Sequence, residues 1–508
     1  MKPLQNVNYD QTQTINSRVQ LKYQLIDLYN EIVKKVNETN AQFTTIQKVP
    51  MSGQNISAYI ALEKLRTKEL DQALMLEGLS SFNDIHPHVL FSLKKMINNI
   101  HYPNTNETFD NMDPEEAKSI KERRSRSLFG VRSDGNSPTV MVTLDCSMLD
   151  NPAVFMDLLR SGMGVARINC AHDHPNVWNQ MVEQVRFAEK MLIQEDPSYT
   201  FPCKIYMDLA GPKIRIGRFS PEYNTLKVMK GDTLRINVDP TFLGHPKTEF
   251  EPVAISITSP KALKNVTIGD RAYFDDGKVF GEVCTREENY IEIKIIDTQT
   301  EIVKLKEGKG VNLPDSLVYL NVPSLTEDDV RILPILCELA DIIGLSFVHH
   351  PRDLIKLRDH LKVLTDKKIG VVAKIETKAS VFHLTKIMME GLNFASFGVM
   401  IARGDLAVEI GYTELTHVQE SILRLCQASH IPVIWATGVL DRLAKKGIPT
   451  RTELTDAYMG LRADCIMLNK GPFISEAVKM IQNIAASVNT DLYNRFAKNK
   501  LAIIQYGY

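Results

Sequence analysis

Apolar and polar positions change their spacing along this chain, and the changes divide it. Up to about residue 100 the spacing is helical: Leu25, Ile26, Tyr29, Ile32, Val33 and Val36 recur at i, i+3 and i+4. Ser57 is placed to cap a following helix that carries Ile60 to Leu76, and Pro87 to open a third with Leu90, Leu93, Met96 and Ile97 on one face. His86 and His88 flank that proline and read as surface or cap residues rather than metal ligands. Residues 101–137 combine Asn, Asp, Pro and Gly with the run Lys121 to Arg126 and read as a linker, the basic run as a solvated helix face.

From Thr139 short apolar runs alternate with helical stretches. Val140–Leu144, Val165–Asn169 and Lys204–Asp208 read as strands one to three. Residues 218–310 then break the alternation with short strand-like runs and turns at Gly231, Gly269 and Asp275-Asp-Gly277, predicting a small all-β insert. Alternation resumes near Leu325, with Ser324 or Thr326 as a helix cap. Strands four to eight are Ile342–Phe347, the run from Ile369, the run Phe397–Ala402, Pro432–Thr437 and Cys465–Asn469. Runs this apolar suit strands buried on both faces of a parallel sheet. Eight of them interleaved with helices predict a (β/α)8 TIM barrel, over 138–217 and 311–490, with a helical region at 1–100 and a tail at 491–508.

Composition narrows the classes. A formal net charge of −1 gives no global pull toward nucleic acid or an anionic membrane, and no apolar run reaches the roughly 18 residues of a membrane span. The seven cysteines stand singly, which argues against a disulfide framework or structural zinc and suits a reducing cytoplasmic setting.

Candidate chemistry collects at strand ends, where barrels place reactive groups. Arg167 and Asn169 end the second strand, Asp208 the third, Lys374 and Glu376 the fifth, Arg403 and Asp405 the sixth, and Thr437 the seventh. Glu376 and Asp405 are hard oxygen ligands of the kind that hold Mg2+ with help from substrate oxygens, and Lys374 beside them can stabilise developing negative charge.

These residues lie within motifs that resemble the pyruvate kinase family. The motifs are Gly162-Met-Gly-Val-Ala-Arg-Ile-Asn169, Met207-Asp-Leu-Ala-Gly-Pro-Lys-Ile-Arg215, Asp275-Asp-Gly277, Lys309-Gly-Val-Asn-Leu-Pro314, Lys374-Ile-Glu376, Ala402-Arg-Gly-Asp-Leu406, Ala436-Thr437 and Pro449-Thr-Arg451, in the family's order. The resemblance implies a barrel with a β-rich lid inserted after strand three. It implies transfer of the phosphoryl group of phosphoenolpyruvate to ADP, giving pyruvate and ATP. Mg2+ would be held by Glu376 and Asp405, with Mn2+ able to replace it. Lys374, Arg167 and Thr437 would be the catalytic residues, and the backbone of Arg403 and Gly404, with Asp405 and Thr437, would receive the substrate. Asn169, His172, Lys309 and Asp276 would face the nucleotide. The partners implied are these small molecules and a second copy of the chain in a homo-oligomer, without nucleic acid or membrane.

The departures from the family pattern matter too. Serine and threonine that help bind a monovalent cation are replaced by Ala171 and Leu209, and a glutamate by Lys213. The resemblance is to members in which that ammonium, with Asn169 and Asp208, stands in for K+, so K+ is not expected to be required. After strand eight, Asn469-Lys-Gly-Pro472 replaces Ser-Gly-Glu-Thr and a longer loop, and an amide cannot relay a proton as a hydroxyl does. Enolate protonation then falls to Thr437 with water. Gly438 stands where glutamine is usual, and the family's C-terminal regulatory domain is not expected after residue 490. Two other readings stay open: a Mg2+-dependent pyruvate-enolate lyase or aldolase, against which the lid motifs weigh, and a non-catalytic regulatory protein, which Asn469 and the short loop favour.

Overall fold

The computed structural model describes residues 11–41, 49–77, 79, 82–100, 112–131, 137–197, 199, 202–275, 277–315 and 323–498. The chain divides into two compact units, one formed by Met1–Ser125 with Ser421–Pro432 and the other by Arg126–Glu420 with Val433–Tyr508.

The larger unit holds the barrel. Its strands are β1 (Thr139–Thr143), β2 (Met163–Asn169), β3 (Lys204–Asp208), β12 (Ile342–Leu345), β13 (Gly370–Ile375), β14 (Phe397–Ala402), β15 (Val433–Ala436) and β16 (Cys465–Leu468). Among the described residues these eight close in the order β1-β16-β15-β14-β13-β12-β3-β2, and every pairing is parallel. Residues inside such a barrel face one another, so their apolar character is what closes it. Met141, Val165, Val372, Met400, Ile434 and Met467 form that interior, and Leu128 and Phe129 join the same cluster. Each such side chain withdrawn from water stabilises the fold by roughly 1.5–3 kcal/mol.

Between β3 and β12 lie β4 (Leu226–Met229), β5 (Thr233–Asn237), β6 (Val253–Ser256), β7 (Arg271–Phe274), β8 (Val279–Arg286), β9 (Tyr290–Thr298), β10 (Ile302–Leu305) and β11 (Val311–Asn312). They form a sheet ordered β11-β7-β8-β9-β5-β6 and a separate β10-β4 ribbon. The alternation of buried with half-buried positions in β5 and β7, and of buried with exposed positions in β10, is why these runs pair as strands with one face on a core. That core runs from Ile214 to Leu313, slightly beyond the 218–310 read from the sequence, because Ile214, Ile216, Val311 and Leu313 pack into it.

The smaller unit is helical: Gln11–Ala41, Met51–Leu65, Lys68–Leu76, Val89–Asn99 and Pro114–Phe129, the last crossing into the larger unit. Two expectations need correction here. Ser57 does not cap a helix but lies inside Met51–Leu65, its hydroxyl donating to the Gly53 carbonyl one turn back. The break falls instead at Thr67, whose side chain accepts from Leu70 N and starts Lys68–Leu76. The basic run read as a solvated helix face does lie on a helix, Pro114–Phe129, but Lys121 and Arg124 donate to the carbonyls of Ile431 and Ser429 instead of facing water, while residues 101–111 and 132–136 of the expected linker lie outside the described residues. His88 bonds Ser92 through Nδ1 at 2.7 Å, in keeping with a local role.

Candidate active site

The strand ends of the barrel open into a cleft of about 790 Å3. Arg167, Asn169, His172, Lys213, Lys309, Lys374, Glu376, Gly404, Asp405, Thr437 and Asn469 all line it. Parallel register brings them together: Asn169 stands opposite Asp208, Lys374 opposite Met400 and Ala402 opposite Ala436, so polar residues just past each apolar run reach the same rim.

Asp208 forms the floor. It is fully buried, with Oδ2 2.7 Å from Arg167 Nε and 2.6 Å from Nη2, and Oδ1 accepting from the Tyr206 hydroxyl at 2.8 Å. Burial alone would raise its pKa, but Lys374, Arg167 and Tyr206 outweigh that and hold it below the ordinary value. Arg167 also donates from Nη1 to Thr143 Oγ1 at 2.9 Å, which leaves two of its five N–H groups for a ligand. Breaking such a buried pair costs about 3–5 kcal/mol.

Lys374 lies on the floor's edge. Its Nζ is 2.9 Å from Ser346 Oγ, 3.0 Å from Glu376 Oε1 and 3.7 Å from Asp208 Oδ2. Burial would lower its pKa, yet Asp208 and Glu376 carry it above the usual value, so the ammonium stays charged. Glu376 also accepts from Phe347 N at 2.7 Å. Its pKa is raised, by burial first and with help from the nearby Asp405 charge, against the pull of Lys374. Phe347 presents that amide from a left-handed backbone conformation, φ 51°.

Asp405 sits in the first turn of the helix Arg403–Ile410, and its Oδ1 accepts from Lys213 Nζ at 2.6 Å. The resemblance groups Lys213 with Asn169 and Asp208; the structure sets its ammonium on Asp405, while Asp208 is held by Arg167 and Tyr206. Asn169 turns its Oδ1 back to Ala171 N at 3.2 Å. Three bases (Arg167, Lys213, Lys374) thus face three acids (Asp208, Glu376, Asp405), and a dication would have to enter with a compensating anion. Among the described residues no three His, Cys, Asp or Glu side chains gather into a metal cage. Glu376 and Asp405 fit a different arrangement. Both are hard carboxylates facing the cleft, and the second Asp405 oxygen has no hydrogen-bond donor among the described residues. Mg2+ is commonly held by one or two carboxylates, with the substrate and water supplying the rest.

The remaining predicted residues divide. Thr437 lines the cleft from a left-handed backbone, φ 69°. Gly404 lets it approach, since a Cβ there would lie 2.8 Å from Thr437 Cγ2. The Arg403 side chain is directed to Asp456, with Nη2 2.8 Å from Asp456 Oδ2, and Arg403 is not among the residues that line the cleft, where its neighbours Ala402, Gly404 and Asp405 are. Lys309 pairs with Asp275 at 3.0 Å, and Asp276 lies outside the described residues. Burial, followed by Lys470 and Arg215, lowers the His172 pKa. Asn469 directs Nδ2 to Asp441 Oδ1 at 3.2 Å. Residues that sequence reasoning missed are Tyr206, Ser346 and Phe347. Ser346 and Phe347 close the fourth strand as read from the sequence and lie just past its end at Leu345 in the structure; it was the one strand end among the middle strands left without a candidate, and that gap was the available signal.

The fold is thus a (β/α)8 barrel with a β insert after its third strand, and a lysine and two carboxylates line the cleft at one rim. The chain belongs to the pyruvate kinase family: the family model "Pyruvate kinase, barrel domain" matches residues 138–478. It is similar to "Pyruvate kinase PKLR" of Homo sapiens, 31% identical over 354 residues, which cover 67% of this chain and 58% of the relative. It is also similar to the pyruvate kinase of Bacillus licheniformis, 31% identical over 338 residues covering 65% of this chain and 53% of that one. With the pyruvate kinase of Thermotoga maritima it is 30% identical over 356 residues, covering 68% and 69%. The match thus spans little more than half the length of the human and Bacillus relatives.

Proposed function

We propose that this chain transfers the phosphoryl group of phosphoenolpyruvate to ADP in a Mg2+-dependent reaction. The convergence of Lys374, Glu376, Asp405 and Thr437 with Arg167 in one cleft is the observation that supports it. In the reaction the ester P–O bond of the enol phosphate breaks and a new P–O bond forms to the terminal phosphate of ADP. The enolate left behind takes a proton at carbon to become pyruvate. Such transfer needs positioning and charge neutralisation more than covalent chemistry.

Each residue has a part that its surroundings support. The two free N–H groups of Arg167 would grip the phosphate, with Asp208 fixing the guanidinium plane. Lys374, kept cationic by Asp208 and Glu376, has one donor beyond those directed at Ser346 and Glu376, for the phosphoryl oxygens and the enolate oxygen. Backbone N–H groups at the start of Arg403–Ile410 would receive the substrate carboxylate. Thr437 and water would deliver the proton. Lys309, on the lid side, would close over the nucleotide and exclude water that hydrolyses the donor. When bound by Glu376 and Asp405, Mg2+ would supply charge neutralisation and a template for the phosphoryl and carboxylate oxygens.

Lys213 supports a finer point: K+ is not required. Its ammonium already occupies Asp405 Oδ1, a fixed positive charge at the rim of the same cleft. Pyruvate formation measured in buffers with only bulky organic cations tests this, and a large stimulation by KCl would reject it.

A further inference from the structure

The motif Pro449-Thr-Arg451 has no part in the chemistry above, yet it starts a helix that ends up beneath the site. Thr450 caps Arg451–Gly460 reciprocally with Glu453, and this start sets Asp456 below the end of β15. There Asp456 meets Arg403 through both carboxylate oxygens, Oδ2 at 2.8 Å from Nη2 and Oδ1 against Nη1. Asp456 Oδ1 also accepts from Trp435 Nε1 at 3.2 Å, and the guanidinium lies over the Trp435 ring, 4.3 Å from its centroid. Held from both sides, Arg403 directs Nε to the Ala436 carbonyl at 2.8 Å and Nη2 to the Thr437 carbonyl at 2.7 Å. Thr437 is the residue whose backbone takes φ 69°, a region that a β-branched residue enters only when its surroundings hold it there.

The geometry points to Asp456 as a positioning residue: by fixing the Arg403 fork it holds Thr437 in its left-handed conformation and aims the threonine side chain into the cleft beside Gly404. Without the carboxylate, the guanidinium keeps the Trp435 ring but loses the charged acceptor that fixes the direction of its fork. Stacking alone does not hold two of its donors on consecutive carbonyls, and the Thr437 peptide can relax. Arginine suits this place because its planar fork reaches a carboxylate and two carbonyls at once, which a lysine ammonium on a flexible stem does not. This inference rests on the reading of Thr437 as the group nearest the proton's path to the enolate.

The test compares the wild type with Asp456→Asn and Arg403→Lys in two rate measurements and one crystal structure. The first rate is pyruvate formation from phosphoenolpyruvate and ADP with Mg2+. The second is exchange of pyruvate methyl protons in D2O with Mg2+ and ATP, followed by proton NMR. A variant that merely folds less well loses both rates in proportion, so their ratio is blind to the active fraction. A displaced Thr437 slows exchange more than transfer, and the expected result is a ratio lowered at least tenfold in both variants. An unchanged ratio in an active enzyme overturns the proposal. If the wild type itself forms no pyruvate, the phosphotransferase reading fails and the crystal structure of Asp456→Asn decides. Thr437 found at negative φ then supports the positioning role, and Thr437 still near its present φ refutes it.

Discussion

Glu409 lies one turn beyond Asp405 on the same helix and is 2% exposed. It accepts from Asn312 Nδ2 at 3.2 Å, while Asn312 Oδ1, also buried, has no donor among the described residues. Burial pushes the Glu409 carboxyl up to about 7, with Asp405 and Asp315 adding to the effect against its hydrogen bonds from Asn312 and the Lys378 backbone. Between the unfolded value of 4.5 and about 7 the folded chain holds a proton that the unfolded chain has released. This group's contribution is therefore greatest below 4.5, falls as pH rises to about 7 and is flat above it. At 1.36 kcal/mol for each pH step, the whole fall is about 3.4 kcal/mol. Glu409→Gln removes the titration and keeps the shape, and its amide can donate to the orphaned Asn312 oxygen. The larger unit has roughly 370 residues, so its unfolding entropy near the midpoint is about 0.8 kcal/mol/K and the difference amounts to about 4 °C. Melting curves of the two proteins should nearly coincide at pH 4.5, with the variant about 4 °C higher at pH 8. A gap that is the same at both pH values within a degree would refute the reasoning.

Three further outcomes can be checked directly. Replacing Lys213 by Glu removes the fixed ammonium from Asp405, and its activity should become dependent on added KCl while the wild type's does not; steady-state rates with and without KCl in organic-cation buffers decide it. Gly344→Ala would drive a Cβ into Tyr206 Oη and Asp208 Oδ1, breaking the floor under Arg167; the expected loss is about 3–5 kcal/mol of stability, read from urea unfolding, together with most of the activity. In the smaller unit His430 meets Ser52 at 3.1 Å and the Pro87 carbonyl at 2.9 Å, and burial, helped by the charges of Arg124 and Lys121, lowers its pKa to about 4 against the pull of the Pro87 hydrogen bond. Its contribution is complete above pH 6.5 and lost as pH falls toward 4, by up to about 3.4 kcal/mol, so His430→Gln should flatten the acid side of that unit's thermal stability profile.

The barrel was legible because its strands are buried on both faces, as Val371, Val399 and Ile434 are, and such runs advertise themselves as uninterrupted apolar stretches. The candidate site was legible where charge closely follows such a run, as at Lys374 and from Arg403 to Asp405. What stayed hidden depends on partners distant in sequence. Nothing near residue 208 shows that Tyr206 and Arg167 will hold Asp208, and nothing near residue 213 shows that its ammonium will reach across 192 positions to Asp405. Helix boundaries in the first hundred residues failed for a related reason. Ser57 has the chemistry of a cap, but inside a helix its hydroxyl can bond back to Gly53, and sequence alone does not separate these uses.

The most direct measurement is pyruvate formation from phosphoenolpyruvate with Mg2+, run with and without ADP on the wild type and on Lys374→Met. The account predicts turnover only with ADP and Mg2+, and a loss of several orders of magnitude in the variant. Pyruvate chemistry indifferent to ADP, or no turnover while phosphoenolpyruvate still binds, would contradict it.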